Sequence, residues 1–139
     1  MTHDYEALAV RVDRASGPDL VLERDIALAV YPGAQPLHGN ETRISVWDGN
    51  GRTQLTVKPY TASIDAAMTL VPEGWFLTLD RYIVSDDPAQ RGSWRVWLKF
   101  IHPTDHIEKR FARADTPATA VLSAALRARA ATVVIGGGE

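Results

Sequence analysis

Between Trp75 and Ala112 apolar and polar residues alternate in three successive runs: Trp75 to Val84, Ser93 to Ile101 and His106 to Ala112. A period of two belongs to strands with one buried face, and the links, residues 85–92 and His102-Pro103-Thr104-Asp105, are made of turn formers. The three runs therefore read as an antiparallel β-meander. In its middle strand Trp94, Val96, Leu98 and Phe100 share one face, the core face, while Arg95, Trp97, Lys99 and Ile101 share the other. One apolar sheet face needs a cover, and the segments on either side supply it.

Upstream, Leu8 and Val12 with the small Ala7 and Ala15 recur at helical spacing from Asp4 to Ala15, and Gly17-Pro18 stops that helix. Asp19 can cap a second helix in which Leu22, Ile26, Ala29 and Val30 form a stripe and Glu23, Arg24 and Asp25 mark the wet side. Residues 33–41 read as loop. The period then becomes two on either side of Asp48-Gly49-Asn50-Gly51, with Ile44 and Val46 alternating with polar neighbours and Trp47 before it and Leu55 and Val57 with polar neighbours after it, which predicts a hairpin. Thr61 or Ser63 can start a third helix with Ile64, Ala67, Met68 and Val71 on its apolar side, closed by Pro72-Glu73-Gly74. A last helix follows Asp115-Thr116-Pro117, with Val121, Leu122, Ala125 and Ala128 as its stripe and Arg127 and Arg129 placed to favour its C-terminal dipole. Its alanine content would let a second helix approach closely, which suggests a homodimer.

With 139 residues, one core is enough and a second domain has no room. The expected organisation is a single domain over residues 1–132 and a flexible tail over 133–139, where the glycines collect. Absence of cysteine excludes disulfides, thiolate metal sites and a cysteine nucleophile. The acidic start lacks the basic segment and apolar run of a signal peptide, and no stretch approaches the roughly 20 apolar residues of a membrane span, so a cytoplasmic protein is expected. Charge is uneven: residues 1–90 carry 7 basic and 13 acidic side chains, whereas residues 91–113 carry 6 basic and 2 acidic ones. An acidic first part disfavours general nucleic-acid coating.

The segment Tyr60–Trp75 (YTASIDAAMTLVPEGW) resembles the central motif of the phage ABA sandwich domain family, small phage or prophage proteins. Residues 112–129 (ARADTPATAVLSAALRAR) are similar to that family's C-terminal helix, and Arg11 to Ala29, with the Ser16-Gly17-Pro18-Asp19 turn, also looks like it. These matches cover about half the chain in the family's order; the hairpin from Trp47 to Val57 is an insertion relative to the shorter members. The resemblance implies an α+β fold, a single-domain α-β-α sandwich with a mainly antiparallel sheet flanked by helices, and a phage or prophage origin acting in the host-cell cytoplasm. It carries no activity and no site residues.

Candidate chemistry is sparse. His102 and His106, four apart with Asp105 and Glu108 nearby, could hold a metal on one helix, but His102 precedes Pro103 and the segment reads as a turn, so no metal site is expected. Ser63 and Asp65 read as helix N-terminal residues rather than a catalytic pair, Asp86 and Asp87 as a soluble turn. No phosphate loop is present: Gly49 and Gly51 lack the following helix and Lys. No catalytic residue and no cofactor are assigned.

The most functional feature is the outward strip Arg95, Trp97, Lys99 with Lys109 and Arg110 from the next strand. Guanidinium and ammonium groups suit phosphate, and an indole offers a stacking face. The bland alternative buries Trp97 beneath a helix in a sheet covered on both faces. The expectation is a non-enzymatic protein capturing an anionic, nucleotide-type small molecule as an anti-defence factor. The alternative is a protein-interaction or structural phage accessory, such as an inhibitor of a host protein or a morphogenesis factor.

Overall fold

The computed structural model describes residues 4–15, 17–81 and 92–135, with side chains through Thr132. Ser16 of the first turn, the end of the first meander strand, the loop holding Asp86 and Asp87, and residues 136–139 lie outside the described residues.

The chain opens with α1 (Tyr5–Arg14), capped by Asp4, whose carboxylate accepts from the Ala7 N–H at 2.9 Å. Helix α2 (Leu20–Val30) is capped the same way by Asp19, which accepts from Leu22 at 3.0 Å. Strands β1 (Gln35–Leu37), β2 (Asn40–Trp47) and β3 (Arg52–Thr56) form an antiparallel sheet in that order. The hairpin is as expected, pairing Ile44 with Leu55 and Trp47 with Arg52. Part of the expected loop 33–41 is strand, because β1 adds to the free edge of β2. Ser63 caps a short α3 (Ile64–Met68), accepting from Ala66 at 3.2 Å. The meander follows: β4 (Phe76–Arg81), β5 (Trp94–Ile101) and β6 (Ile107–Ala114), then α4 (Pro117–Ile135).

The fold is α+β in one domain, with helices against antiparallel sheets. Among the described residues six strands are divided between two three-stranded sheets, and the hairpin joins β1 rather than the meander. Helix α4 packs on β5 and β6 and also on α1 and α3, whereas α2 packs on β2 and on α1. The succession is meander, α4, α1, α2, N-terminal sheet, so the helices lie between the sheets. This placement leaves the far side of the meander without a helix among the described residues.

Helix α4 is buried almost all round: Ala120, Val121, Leu122, Ala124, Ala125 and Leu126 have no exposed surface. Helices hydrophobic on all sides are central ones, and small side chains here let α1 approach through Ala9, itself fully buried. The alanine surface that suggested a homodimer is thus occupied within the chain. Arg127 and Arg129 are not at the end of the helix, which continues through Ile135 into the stretch expected to be tail. Arg127 instead reaches Asp13 of α1 at 2.7 Å and donates to Ser123, which donates to the same carboxylate at 2.6 Å. Arg129 donates to the Leu70 carbonyl at 2.8 Å, just past α3.

Glu23, expected on the wet side of α2, is 2% exposed. Its Oε2 accepts from the Thr61 N–H at 3.0 Å and the Thr61 hydroxyl at 2.6 Å, and the Thr61 Oγ1 accepts from the Asp19 N–H at 2.9 Å. A buried carboxyl group is tolerable when hydrogen-bonded in this way. The pair ties the start of α2 to the turn before α3. Met68, expected in the apolar face of α3, is 42% exposed, and Leu70 takes the buried position.

Two outcomes follow from this core. Thr61→Val removes a donor from buried Glu23 and the acceptor for Asp19, and should lower the unfolding free energy by roughly 1–3 kcal/mol, read as a lower urea midpoint; Thr61→Ser should recover most of it. Burial, then the neighbouring Tyr31, push the Tyr60 phenol up to about 12, with Arg129 opposing. Because this folded-state value lies above the unfolded one of about 10, the stability tied to neutral Tyr60 is whole below pH 10 and is lost as pH rises towards 12. The loss is roughly 2–3 kcal/mol, and a Tyr60→Phe chain, followed by alkaline denaturation, should be free of it.

Candidate functional site

Strand pairing decides which predicted residues meet. Across the meander Phe76 pairs with Lys99, Thr78 with Trp97 and Asp80 with Arg95. On the other side Lys99 pairs with Lys109, Trp97 with Phe111 and Arg95 with Arg113. Directly paired residues share a face, so these side chains form three rows on the outer side of the sheet, opposite the Val96 and Leu98 core face. Arg95, Trp97, Lys99 and Lys109 stand there together.

Arg110 does not. It pairs with Leu98 and so points to the opposite face, where its guanidinium donates to Glu108 at 3.1 Å and to the Lys109 carbonyl at 2.7 Å. Neighbours on a strand point oppositely, so only one of Lys109 and Arg110 could join the strip, and the register selects Lys109.

The outer face carries an aromatic centre between basic rows. Trp97 and Phe111 lie 4.5 Å apart between ring centroids, tilted by 43°. Beside them an open hollow of about 210 Å³ is lined by Thr78, Trp97, Lys99 and Lys109. Lysines directly opposite one another repel, and among the described residues no carboxylate comes within ion-pair distance of either. Arg95 differs, since its Nε lies 2.7 Å from Asp80 Oδ1. Phe76 at 65%, Ile101 at 53% and Ile107 at 45% exposure extend the same face. Among the described residues no helix lies over Trp97, because the helix packed on this sheet, α4, lies on its other side.

Phe76, Thr78 and Phe111 were absent from the predicted strip. Their signal was the alternation itself, which puts every second residue of all three strands on the outer face once the register is known. A second hollow, of about 250 Å³, lies where α1 meets the start of α4 and includes Asp13, Arg113 and Thr116. Two of its polar groups serve the fold: Asp13 holds Arg127, and Thr116 caps α4 by accepting from Thr119.

On the inner face at the end of the meander, Glu108 is shared. Its Oε2 accepts from Arg110, while Oε1 lies 3.2 Å from His106 Nε2 and 3.9 Å from His102 Nε2. The hydrogen bond from Arg110, and next that with His106, hold this carboxyl below the usual glutamate range. Ser63, as an N-cap, and the adjacent Asp65 are accounted for by the first turn of α3.

No family model matches the chain, and neither a curated protein nor a solved structure does. The surface geometry is therefore the basis for a functional reading. Arg110→Ala should raise the titration midpoint of Glu108, followed by carbon-13 NMR, because it removes the largest influence holding that carboxyl down. The same substitution should leave the outer face and any ligand there unaffected.

Proposed function

We propose that this is a non-enzymatic binding protein whose outer meander face captures an anionic, nucleotide-type small molecule. The observation that carries the reading is the outward-facing pair of half-buried Trp97 and exposed Phe111 beside the Lys99–Lys109 pair, with Thr78 also lining the hollow. A nucleobase stacks on the indole, and phosphate oxygens relieve the repulsion between the opposed ammonium groups. Thr78 adds a hydroxyl within the same hollow, able to donate or accept. Arg95 and Arg113 continue the positive row, Arg95 tempered by Asp80. The resemblance to small phage proteins extends this proposal to a phage or prophage accessory that works in the host cytoplasm by withholding a nucleotide signal from a defence pathway.

A second reading, a surface for a host or structural protein, is favoured by the exposure of Phe76, Ile101 and Ile107 on the same face. Contiguous exposed apolar side chains mark interaction surfaces. No helix among the described residues is long and apolar enough to cross a membrane.

Native mass spectrometry against linear and cyclic nucleotides separates the two readings. A stoichiometric adduct is expected, weakened by Trp97→Ala by about 1–3 kcal/mol, or roughly 5- to 150-fold. Lys99→Ala with Lys109→Ala should abolish it and Arg110→Ala should retain it. Absence of any nucleotide adduct with the folded chain would remove the first reading and leave the protein-partner surface.

A further inference from the structure

The inner face of the β5–β6 hairpin assembles a donor set that the outer-face reading does not use. His102, His106 and Glu108 each offer a ligand atom, and these atoms lie within 4.8 Å of one another. The spacing His-x-x-x-His-x-Glu does on a hairpin what a helix would do by another route. His102 and His106 flank the turn, joined by the His102 N–H donating to the His106 carbonyl at 2.8 Å. Glu108, two residues beyond His106, returns to the same face and pairs with Phe100. The segment is a turn, as its sequence predicts, and the turn brings the donors together without a helix.

We infer that His102 Nε2, His106 Nε2 and Glu108 Oε1 bind a first-row divalent transition-metal ion of the Zn²⁺ class. Ligands about 2.0–2.1 Å from a tetrahedral ion stand about 3.3 Å apart, and Oε1 lies 3.2 Å from one imidazole and 3.9 Å from the other. Two imidazoles and a carboxylate suit Zn²⁺ and its neighbours rather than Ca²⁺ or Mg²⁺, which prefer oxygen alone. Three protein ligands leave a fourth position for water or an anion.

A second observation points the same way. Among the described residues the buried side-chain polar atoms without a hydrogen-bond partner are Arg24 Nε and His102 Nε2. Buried polar atoms are almost always satisfied, and coordination would satisfy this one. The set is also held in place. Phe100 meets His102 edge-on at 5.0 Å, and Trp75 backs Phe100 at 5.6 Å. Arg110 grips Glu108 by Oε2, which leaves Oε1 to the imidazoles; such outer partners orient a ligand. The turn itself is specified, with Pro103 inside a bend closed by the Asp105 N–H donating to the His102 carbonyl at 2.9 Å and Asp105 at φ 66°.

The test is calorimetric titration of Zn²⁺ into the full untagged chain after chelator treatment. One equivalent should bind. His106→Ala, at a position whose side chain is 65% exposed and so tolerant of truncation, and Glu108→Gln should each weaken binding by at least about tenfold, the least that loss of a group supporting a metal ligand typically costs. His38→Ala, a histidine outside the cluster, should leave it unchanged, and far-ultraviolet circular dichroism should show each variant folded. Failure of the wild-type chain to bind Zn²⁺ saturably, or equal affinity in the folded His106→Ala chain, would overturn the assignment.

Discussion

The close approach of α1 to α4 is the interaction on which the remaining architecture rests. It depends on small side chains: Ala9 meets a helix whose middle is Ala, Val and Leu without exposed surface. Dispersion rises steeply as backbones draw together, so a helix poor in side-chain volume is held by proximity. Proximity alone fixes neither rotation nor height. The hydrogen-bonded group of Asp13, Ser123 and Arg127 does both, tying one helix to the other at a single level. Sheet β4–β5–β6 then lies on one side of α4 while α2, carrying the other sheet, attaches through α1.

Polar contacts between distant parts of the chain fix what apolar packing leaves free. Glu23 and Thr61 are 38 residues apart, yet the short turn before α3 is hung from α2 by that carboxyl group. Arg129 does likewise from α4, donating to the Leu70 carbonyl as α3 ends, with its guanidinium 5.9 Å above the Tyr5 ring. A five-residue helix has little stability of its own. Here the residues flanking it, Thr61 before and Leu70 after, are held by partners from elsewhere in the chain.

What was legible in the sequence was local. Asp19, and Ser63 as one of two candidates, announce helix starts because a cap and its N–H lie three residues apart, and the alternation of Trp94 to Ile101 names its core face because parity repeats within one strand. The partition into two sheets was not legible, since pairing is decided between segments. Arg110 shows the limit most clearly: Lys109 and Arg110 are both cationic, and only alignment against Lys99 tells which faces outward. Glu23 failed for the same reason, as its partner is remote. The histidine pair was visible as a spacing, but its meaning depended on whether a helix or a hairpin carried it.

Alternation in the meander also divides labour between neighbouring codons. Val96 and Leu98 are sealed against α4, and any change there is felt by the core. Thr78, Lys99 and Lys109 stand exposed on the other side of the same strands, where side chains can be exchanged with little penalty to folding. A lineage carrying this domain can therefore vary that face one alternate residue at a time, while the scaffold that presents it stays constant.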